Sequence, residues 1–551
     1  MTRTAVPSTK NNYMSNSRIL GALALLAGLL AVSIAQAVTP EQLNALAFGE
    51  NDAKVQTIAA IVSAGDAEAM PLLQALVESR VQISPEQKRI FILQADGGVL
   101  DAKTGQSVDP LPDDVEEVVM NNRMRRELAN AMAALQLFSP DPATRLASAR
   151  SLQGGAEPAM LPLIEKAYAA ESEAQIKQLL GLTRATLQLA SADAEVRLAA
   201  VKTLGESSDP TTKTLLLKVL AKNGEVYAEP DEKVRVQAAL SLDSVQGRLA
   251  WGERLGQIFS GISLGSILLL AALGLAITYG LMGVINMAHG ELIMIGAYAT
   301  YLVQGLFQKY LPELFNWYLV AALPVAFVIA ALVGMVMERT VIRFLYGRPL
   351  ETLLATWGIS LVLIQLVRTI FGAQNVGVEN PVWMSGGVQA MSNLVLPYNR
   401  IVIIFFAAFV LLGVWLLLTR TRLGLFVRGV TQNRAMAGCV GVPTARVDTY
   451  AFGLGSGIAG LAGCALSQIG NVGPDLGQSY IVDSFMVVVL GGVGQLAGTV
   501  YAAMGLGIAN KFLEGWAGAV LAKIAVLVFI IIFIQKRPQG LFALKGRFAD
   551  A

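Results

Sequence analysis

The chain has 551 residues, a net charge of +2, 54% apolar and 15% charged side chains, and a mean hydropathy of +0.55. A soluble globular chain carries about 25% charged residues, so part of this one is built for a non-aqueous surrounding. The near-zero net charge gives no support to nucleic-acid binding. Both cysteines, Cys439 and Cys464, fall in the second half, so the first half folds without disulfides.

Arg18 precedes an uncharged, Leu- and Ala-rich stretch at 19–32, followed by Ser33-Ile-Ala-Gln-Ala37. A basic region, a short apolar core and a small-x-small ending form the pattern of a signal peptide over 1–37, cleaved after Ala37. The alternative is an uncleaved anchor that uses flanking residues, since a bilayer crossing takes roughly 20. In both cases the basic end stays in the cytoplasm and the chain from Val38 lies outside.

Residues 38–249 read as a helical domain. Four stretches share a local pattern: Asp52-Ala-Lys-Val-Gln, Asp141-Pro-Ala-Thr-Arg, Asp193-Ala-Glu-Val-Arg and Asp231-Glu-Lys-Val-Arg. Each Asp is a good helix N-cap, because its carboxylate accepts from free backbone N–H groups. Ala/Leu-rich helices follow, and second apolar helices are expected near 159–169 and 211–221. The unit resembles a HEAT-type helical repeat, with a generic all-helical domain as the alternative. A turn-rich insertion, a small hairpin, is expected near 91–112 around Ala95-Asp-Gly-Gly98. The domain holds no His and no Cys, and capping accounts for its carboxylates. It reads as a docking or scaffolding module with no catalytic residues.

From Gly256 charge nearly vanishes. Apolar stretches fall near 262–281, 292–306, 319–337, 353–371, 401–418, 451–466, 484–508 and 520–534, each long enough or nearly so to span a bilayer. Basic residues gather at 339–348, 420–446 and 536–547, which the positive-inside rule places in the cytoplasm. With an external first domain, simple crossings by all eight stretches would leave the basic tail outside. Either 484–508, with Leu490-Gly-Gly-Val-Gly-Gln-Leu-Ala-Gly498 at its centre, dips in and returns, or a further short span exists.

Two polar islands interrupt this pattern. Gly283-Val-Ile-Asn-Met-Ala-His-Gly-Glu291 holds the chain's 1 histidine. Asn286, His289, Gly290 and Glu291 between two spans mark either a rigid polar corner or a solute contact. One His with one Glu falls short of a metal site, which takes three or four ligands. The second island, 419–442, mixes Arg, Thr, Gln and Asn with small apolar residues. It reads as an amphipathic helix for a cytosolic partner's groove or as an interfacial loop.

Asn286-Met-Ala-His-Gly-Glu291, Gly429-Val-Thr-Gln-Asn-Arg434 and the continuation to Gly441-Val442 resemble permease subunits of the branched-chain amino-acid type ABC importer family, over roughly 251–547. The long domain ahead of the permease core departs from ordinary amino-acid permeases and is similar to the B-type permease of the urea ABC importer.

The resemblance implies an all-α polytopic permease in a bacterial inner membrane, with a periplasmic first domain and a cytoplasmic C-terminus. It implies a homologous permease subunit, two cytosolic ATPase subunits, a periplasmic solute-binding protein and urea as solute. Segment 422–443 would be the coupling helix, with Arg428, Thr431, Gln432, Asn433, Arg434 and Gly441 toward the ATPase. Asn286, His289, Gly290 and Glu291 would form the polar junction beside the pathway in the domain 250–551. No Gly-x-x-x-x-Gly-Lys-Ser/Thr occurs, so ATP is expected on the partner subunits, with no cofactor or catalytic residue here.

Gln365, Gln374, Gln468, Asn471 and Gln495 suit a urea route that offers donors and acceptors, and helix–helix hydrogen bonding serves each equally well. Short amides or branched-chain amino acids are the alternative solutes, for which Glu291 and Arg368 would be the charged contacts. A non-transporting membrane scaffold is the alternative of another class.

Overall fold

The computed structural model describes residues 38–542 apart from 65–68, 95–97, 105, 109–111, 113, 119 and 225. The expected signal peptide at 1–37 lies outside the described residues, as does the end of the basic tail. The chain divides into two compact units, one ending at Gly247 and the other beginning at Arg248.

The first unit opens with helices α1 (Pro40–Phe48), α2 (Asn51–Ala64) and α3 (Met70–Val77). Strands β1 (Val81–Ser84), β2 (Arg89–Leu93), β3 (Val99–Asp101) and β4 (Glu116–Glu117) then form an antiparallel sheet of order β3-β2-β1-β4. The small hairpin expected at 91–112 is therefore a larger sheet that starts at Val81, and the all-α expectation is corrected to mostly helical. β-branched and aromatic residues drive the change: Val81, Ile90, Phe91 and Ile92 are all buried.

Helices α4 (Asn122–Gln136), α5 (Pro142–Leu152), α6 (Leu161–Ala170), α7 (Ala174–Gln188), α8 (Ala194–Leu204) and α9 (Pro210–Val219) complete the unit with a short hairpin, β5 (Lys222–Asn223) and β6 (Val226–Tyr227). Asp141, Asp193 and Asp231 each accept from backbone N–H groups at a helix start, as does Asp209. Asp52 departs from that pattern. It lies within the first turn of α2 and pairs with Arg123 at 3.1 Å.

A second device recurs with the caps. Arg145 grips Glu171 through Nε and Nη2 at 2.9 and 3.2 Å, while its Nη1 donates to the carbonyls of Ser139 and Pro140. Arg197 repeats this on Glu229 at 2.9 and 2.8 Å, with Nη1 on Ser191 and Ala192. Arg235 makes the carbonyl half alone, to Glu229 and Pro230. Each guanidinium ties a helix to the loop that precedes it, and two of them also reach a loop far along the chain. The Arg145 fork holds the Glu171 carboxyl below the usual carboxylate range, and Arg197 does the same for Glu229.

Helix α10 (Glu232–Met282) crosses the division between the units. The second unit continues with α11 (His289–Tyr310), α12 (Tyr318–Thr340), α13 (Pro349–Phe371), hairpin β7 (Gly387–Met391) and β8 (Leu394–Pro397), and α14 (Tyr398–Arg420). Two surface helices, α15 (Arg422–Gln432) and α16 (Arg434–Cys439), precede α17 (Thr444–Ser467), α18 (Leu476–Gly491), α19 (Leu496–Ala517) and α20 (Ala519–Lys536). Among the described residues six helices are long and apolar enough to cross a membrane, within 232–280, 312–344, 349–371, 398–420, 444–467 and 519–536. The unit is a polytopic helical bundle.

Facing residues fix helix directions. Gly261, Gly265 and Gly280 of α10 meet Ile508, Met504 and Gly494, so α19 runs antiparallel to α10. Gly334 of α12 meets Ser456, and Ala326 meets Gly460, so α12 opposes α17. Through α10–α14 and α17–α20 the chain alternates, and the basic stretches near 339–348 and 420–446 and at 536–537 share one end.

The stretch 484–508 is not one helix. It breaks where Gly492 and Gly494 adopt φ +99° and +77°, conformations that favour glycine, and α19 returns alongside α18. Leu541 and Phe542 donate backbone hydrogen bonds to Leu490 and Gly491 at that turn, so the turn lies at the basic end. The stretch is thus two helices joined by a turn, not a single crossing.

Helix α17 is the hub. Its glycines face α10 (Gly455 on Gly274), α11 (Gly463 on Ile293) and α12 (Gly457 on Phe327, Gly460 on Ala326). Without side chains in the way, backbones approach closely and gain dispersion contacts that lipid cannot supply as well.

Candidate functional site

The polar junction begins where α10 stops. Gly283 turns to φ +63°, and residues 283–286 leave the helix and run back into the bundle. Asn286 Oδ1 accepts from the Ala288 N–H at 3.1 Å, turning the chain into α11. The Met287 N–H donates to Thr356 Oγ1 of α13 at 3.1 Å. His289, first residue of α11, places Nε2 2.9 Å from the Ala271 carbonyl. Ala271 lies about 16 Å along α10 from its end at Met282, at roughly 1.5 Å per residue. α11 therefore starts near mid-depth of a hydrocarbon layer about 30 Å thick. Gly290 abuts Gly477 of α18 there, backbone against backbone.

Glu291 follows within that first turn, and Ser360 Oγ of α13 donates to its Oε1 at 2.7 Å. Asn286, His289 and Glu291 are each no more than 1% exposed. Even so, Asn286 Nδ2, His289 Nδ1 and Glu291 Oε2 have no hydrogen-bond partner among the described residues. Leaving one such group unsatisfied costs about 1–3 kcal/mol. Three of them in six residues, at this depth, form a polar centre with donor and acceptor capacity to spare.

The other polar residues singled out from sequence do not converge on it. Gln468 is buried at the opposite end of α17, where its Oε1 accepts from Tyr318 and its backbone carbonyl accepts from Asn399. Gln495 sits in the turn between α18 and α19, and Gln365, Gln374 and Asn471 are exposed. Arg368 pairs with Asp475 at 2.8 Å, not with Glu291. Thr356 and Ser360, which brace the junction, were missed by sequence reasoning. Two hydroxyls four residues apart in an apolar run were the available signal.

At the basic end α15 and α16 lie across the bundle. Val427, Val430 and Ala437 pack on Val447 and Ala451 of α17. Arg428, Thr431, Gln432, Asn433, Arg434 and Gly441 are all exposed, yet several are also committed locally. Asn433 caps α16 by accepting from the Met436 N–H at 2.9 Å. Arg428 Nη1 donates to the Leu418 carbonyl at 3.1 Å, and Thr431 bonds back to Val427. Gly441 takes φ +86° to end the segment. Arg434 turns inward to Asp448 and over the Tyr346 ring. Leu425, Met436 and Val440 add exposed apolar surface.

A bundle of membrane-crossing helices, a polar helix start at mid-depth and a surface helix pair at the basic end together define a membrane permease. The family model described as "Branched-chain amino acid transport system / permease component" matches residues 257–535, half of the chain, and the chain belongs to this family. It is similar to the high-affinity branched-chain amino acid transport system permease protein LivH of Escherichia coli, 29% identical over 294 residues that cover 52% of this chain and 94% of that protein. Similarity to BraD of Pseudomonas aeruginosa, a protein of the same description, is 27% over 293 residues, 52% of this chain and 95% of that one. The ribose import permease protein RbsC of Escherichia coli is 26% identical over 173 residues, 30% of this chain and 47% of RbsC. No solved structure matches. These relatives are permeases, not enzymes.

Proposed function

We propose that the chain is the B-type permease subunit of an ABC importer for urea, forming half of the translocation route with a homologous permease subunit. The observation that carries the solute is the chain's own departure from its relatives. LivH is matched over 94% of its length, yet this covers only 52% of this chain, and the remainder includes a separate helical unit ending at Gly247. That arrangement resembles the urea subtype. The unpartnered donor of Asn286 and acceptor of Glu291 suit a small neutral amide, which offers both kinds of group.

The remaining assignments follow from that reading. The first unit, 38–249, is a periplasmic HEAT-like domain behind a signal peptide at 1–37, and the repeated Arg145 and Arg197 clasps support its repeat character. A solute-binding protein delivers urea from that side. The basic end faces the cytoplasm of a bacterial inner membrane, with the C-terminus. There α15–α16, within 422–443, meet one of two ATPase subunits through Arg428, Gln432 and the exposed apolar residues. ATP is bound by those subunits and shifts the permease between inward- and outward-facing forms.

Branched-chain amino acids are the second reading, favoured by the descriptions of LivH and BraD. An amino acid needs charge-complementary contacts, and Arg368 is engaged with Asp475. ATP-dependent uptake of labelled urea and labelled leucine by the reconstituted complex decides between the two. Urea uptake without leucine uptake is expected, and the reverse overturns the assignment.

A further inference from the structure

We propose that Arg434 does not face the ATPase but fastens the surface helices α15–α16 to α17 and α12, making it the residue through which movement of that pair enters the bundle. This rests on the reading of α15–α16 as the ATPase-facing segment.

The first observation is direction. Arg434 is the first residue of α16, and its guanidinium reaches across to the Asp448 carboxylate on the first turns of α17. Asp448 is 2% exposed, so the pair is anchored on the bundle side. The same guanidinium lies 4.8 Å from the centre of the Tyr346 ring, stacked as a planar cation prefers.

The second observation is what lies behind Tyr346. Its hydroxyl donates to Glu338 Oε1 at 3.0 Å, and Glu338, 2% exposed, closes α12. Thr449 Oγ1 donates to Glu338 Oε2 at 2.7 Å, while Arg339 Nε donates to Thr449 Oγ1 at 2.9 Å. Arg434, Asp448, Thr449, Glu338, Tyr346 and Arg339 thus form one connected network over α16, α17, α12 and the turn after α12. Two buried carboxylates sit in it, and Arg434 is the cation that satisfies Asp448. Removing one partner of such a pair leaves an uncompensated buried charge.

Without this link, α15–α16 would rest on α17 through apolar packing centred on Val427, Val430 and Ala437. Apolar contacts of that kind slide more readily than a cation that is both paired with a buried carboxylate and stacked on a ring. The network gives the surface pair a fixed grip on the glycine-faced hub α17, and so a route to α11 and the polar junction.

The test uses the full chain carrying Arg434→Ala or Asp448→Asn, and the exchanged pair Arg434→Asp with Asp448→Arg. The assembled complex is assayed for retained ATPase subunit, ATP hydrolysis and uptake. Trypsin cleavage after Arg428 is timed on the chain alone in detergent. Both single variants are expected to keep the ATPase subunit, to lower uptake per ATP about tenfold, and to speed cleavage about fivefold. The exchanged pair should restore part of both. Should Arg434→Ala fail to fold, Arg434→Lys, which keeps charge but loses the flat stack, is expected to show the same changes at smaller size.

Loss of the ATPase subunit with Arg434→Ala but not with Asp448→Asn would make Arg434 a docking residue and overturn the inference. Unchanged uptake per ATP in both singles overturns it as well. If the wild-type chain retains no ATPase subunit, the proposed function fails instead, and the cleavage rates alone then decide whether Arg434 fastens the segment.

Discussion

The two units of this chain sort their residues by opposite rules. In the first, water drives Leu, Ile and Val inward, as in Leu72, Leu73, Leu128 and Leu152, while Arg–Glu clasps finish the joints between helices. In the second, the most apolar helices are the outer ones. The strongly apolar α14 and α20 are only 22% and 17% buried. α17, the least apolar of the six, is 83% buried. Lipid competes with no one for leucine, so close packing by glycine, alanine and serine decides the interior. Hydropathy alone would rank α17 last as a core helix, and the packing ranks it first.

The sharpest way to break this contrast is a side chain on the hub. Gly463→Leu forces a branched side chain against the Ile293 backbone, and overpacking of this kind costs about 3 kcal/mol. The expected outcome is little monodisperse protein after detergent extraction. Val520→Ala on the outer α20, where Val520 is 74% exposed, should leave the yield unchanged. Equal yields for the two would refute the sorting rule.

In the first unit the corresponding blow is Arg197→Ala. The Arg197 and Glu229 side chains are 12% and 8% exposed, and stripping one partner from such a pair costs about 3 kcal/mol. Hydrogen exchange of α8 should accelerate while α12 and α17 stay protected. Replacing both partners by Met and Leu should cost far less, because no orphan charge remains.

Acid should separate the units without mutation. Glu171 and Glu229 are held below their ordinary values by their arginines. Their contribution is therefore complete above the unfolded carboxylate value, about 4.3, and is lost as pH falls through the lower folded values. Exchange at α5 and α8 should rise between pH 5 and pH 3, an interval set on the order of those values, before exchange in α12 does. Simultaneous loss in both units would contradict this.

The smallest effect is expected at a cap. Asn433→Ala removes the acceptor for the Met436 N–H and should cost about 1 kcal/mol, seen as faster exchange confined to α16. Spread of the change into α17 would mean that the cap supports more than its own helix.

The two units also differed in legibility. Asp141, Asp193 and Asp231 were readable as caps because a cap is a contact across two or three residues. Their companions Glu171 and Glu229 were not, since each meets its arginine 26 or 32 residues away and nothing local marks it. In the second unit the apolar runs and the polar island at 286–291 were plain. That α11 begins inside the bundle was hidden, because it depends on Ala271, Thr356 and Ser360 from other helices. Arg434 was expected on the ATPase side; its contact with Asp448 was not legible, since that carboxylate lies 14 residues on, just inside an apolar run. The four-stranded sheet was underestimated because its first strand precedes the Gly-rich turn that drew attention.

The low hydropathy of α17 bears on how the chain is made. Offered to lipid by itself during synthesis, a helix bearing Asp448 and a row of glycines gains less from insertion than any of the other five candidate spans. α10, α11 and α12 emerge first, and they carry the small-residue surfaces at Gly274, Gly296 and Gly334 that α17 fits. Chain order thus supplies a prepared slot for the helix least able to enter the bilayer unaided.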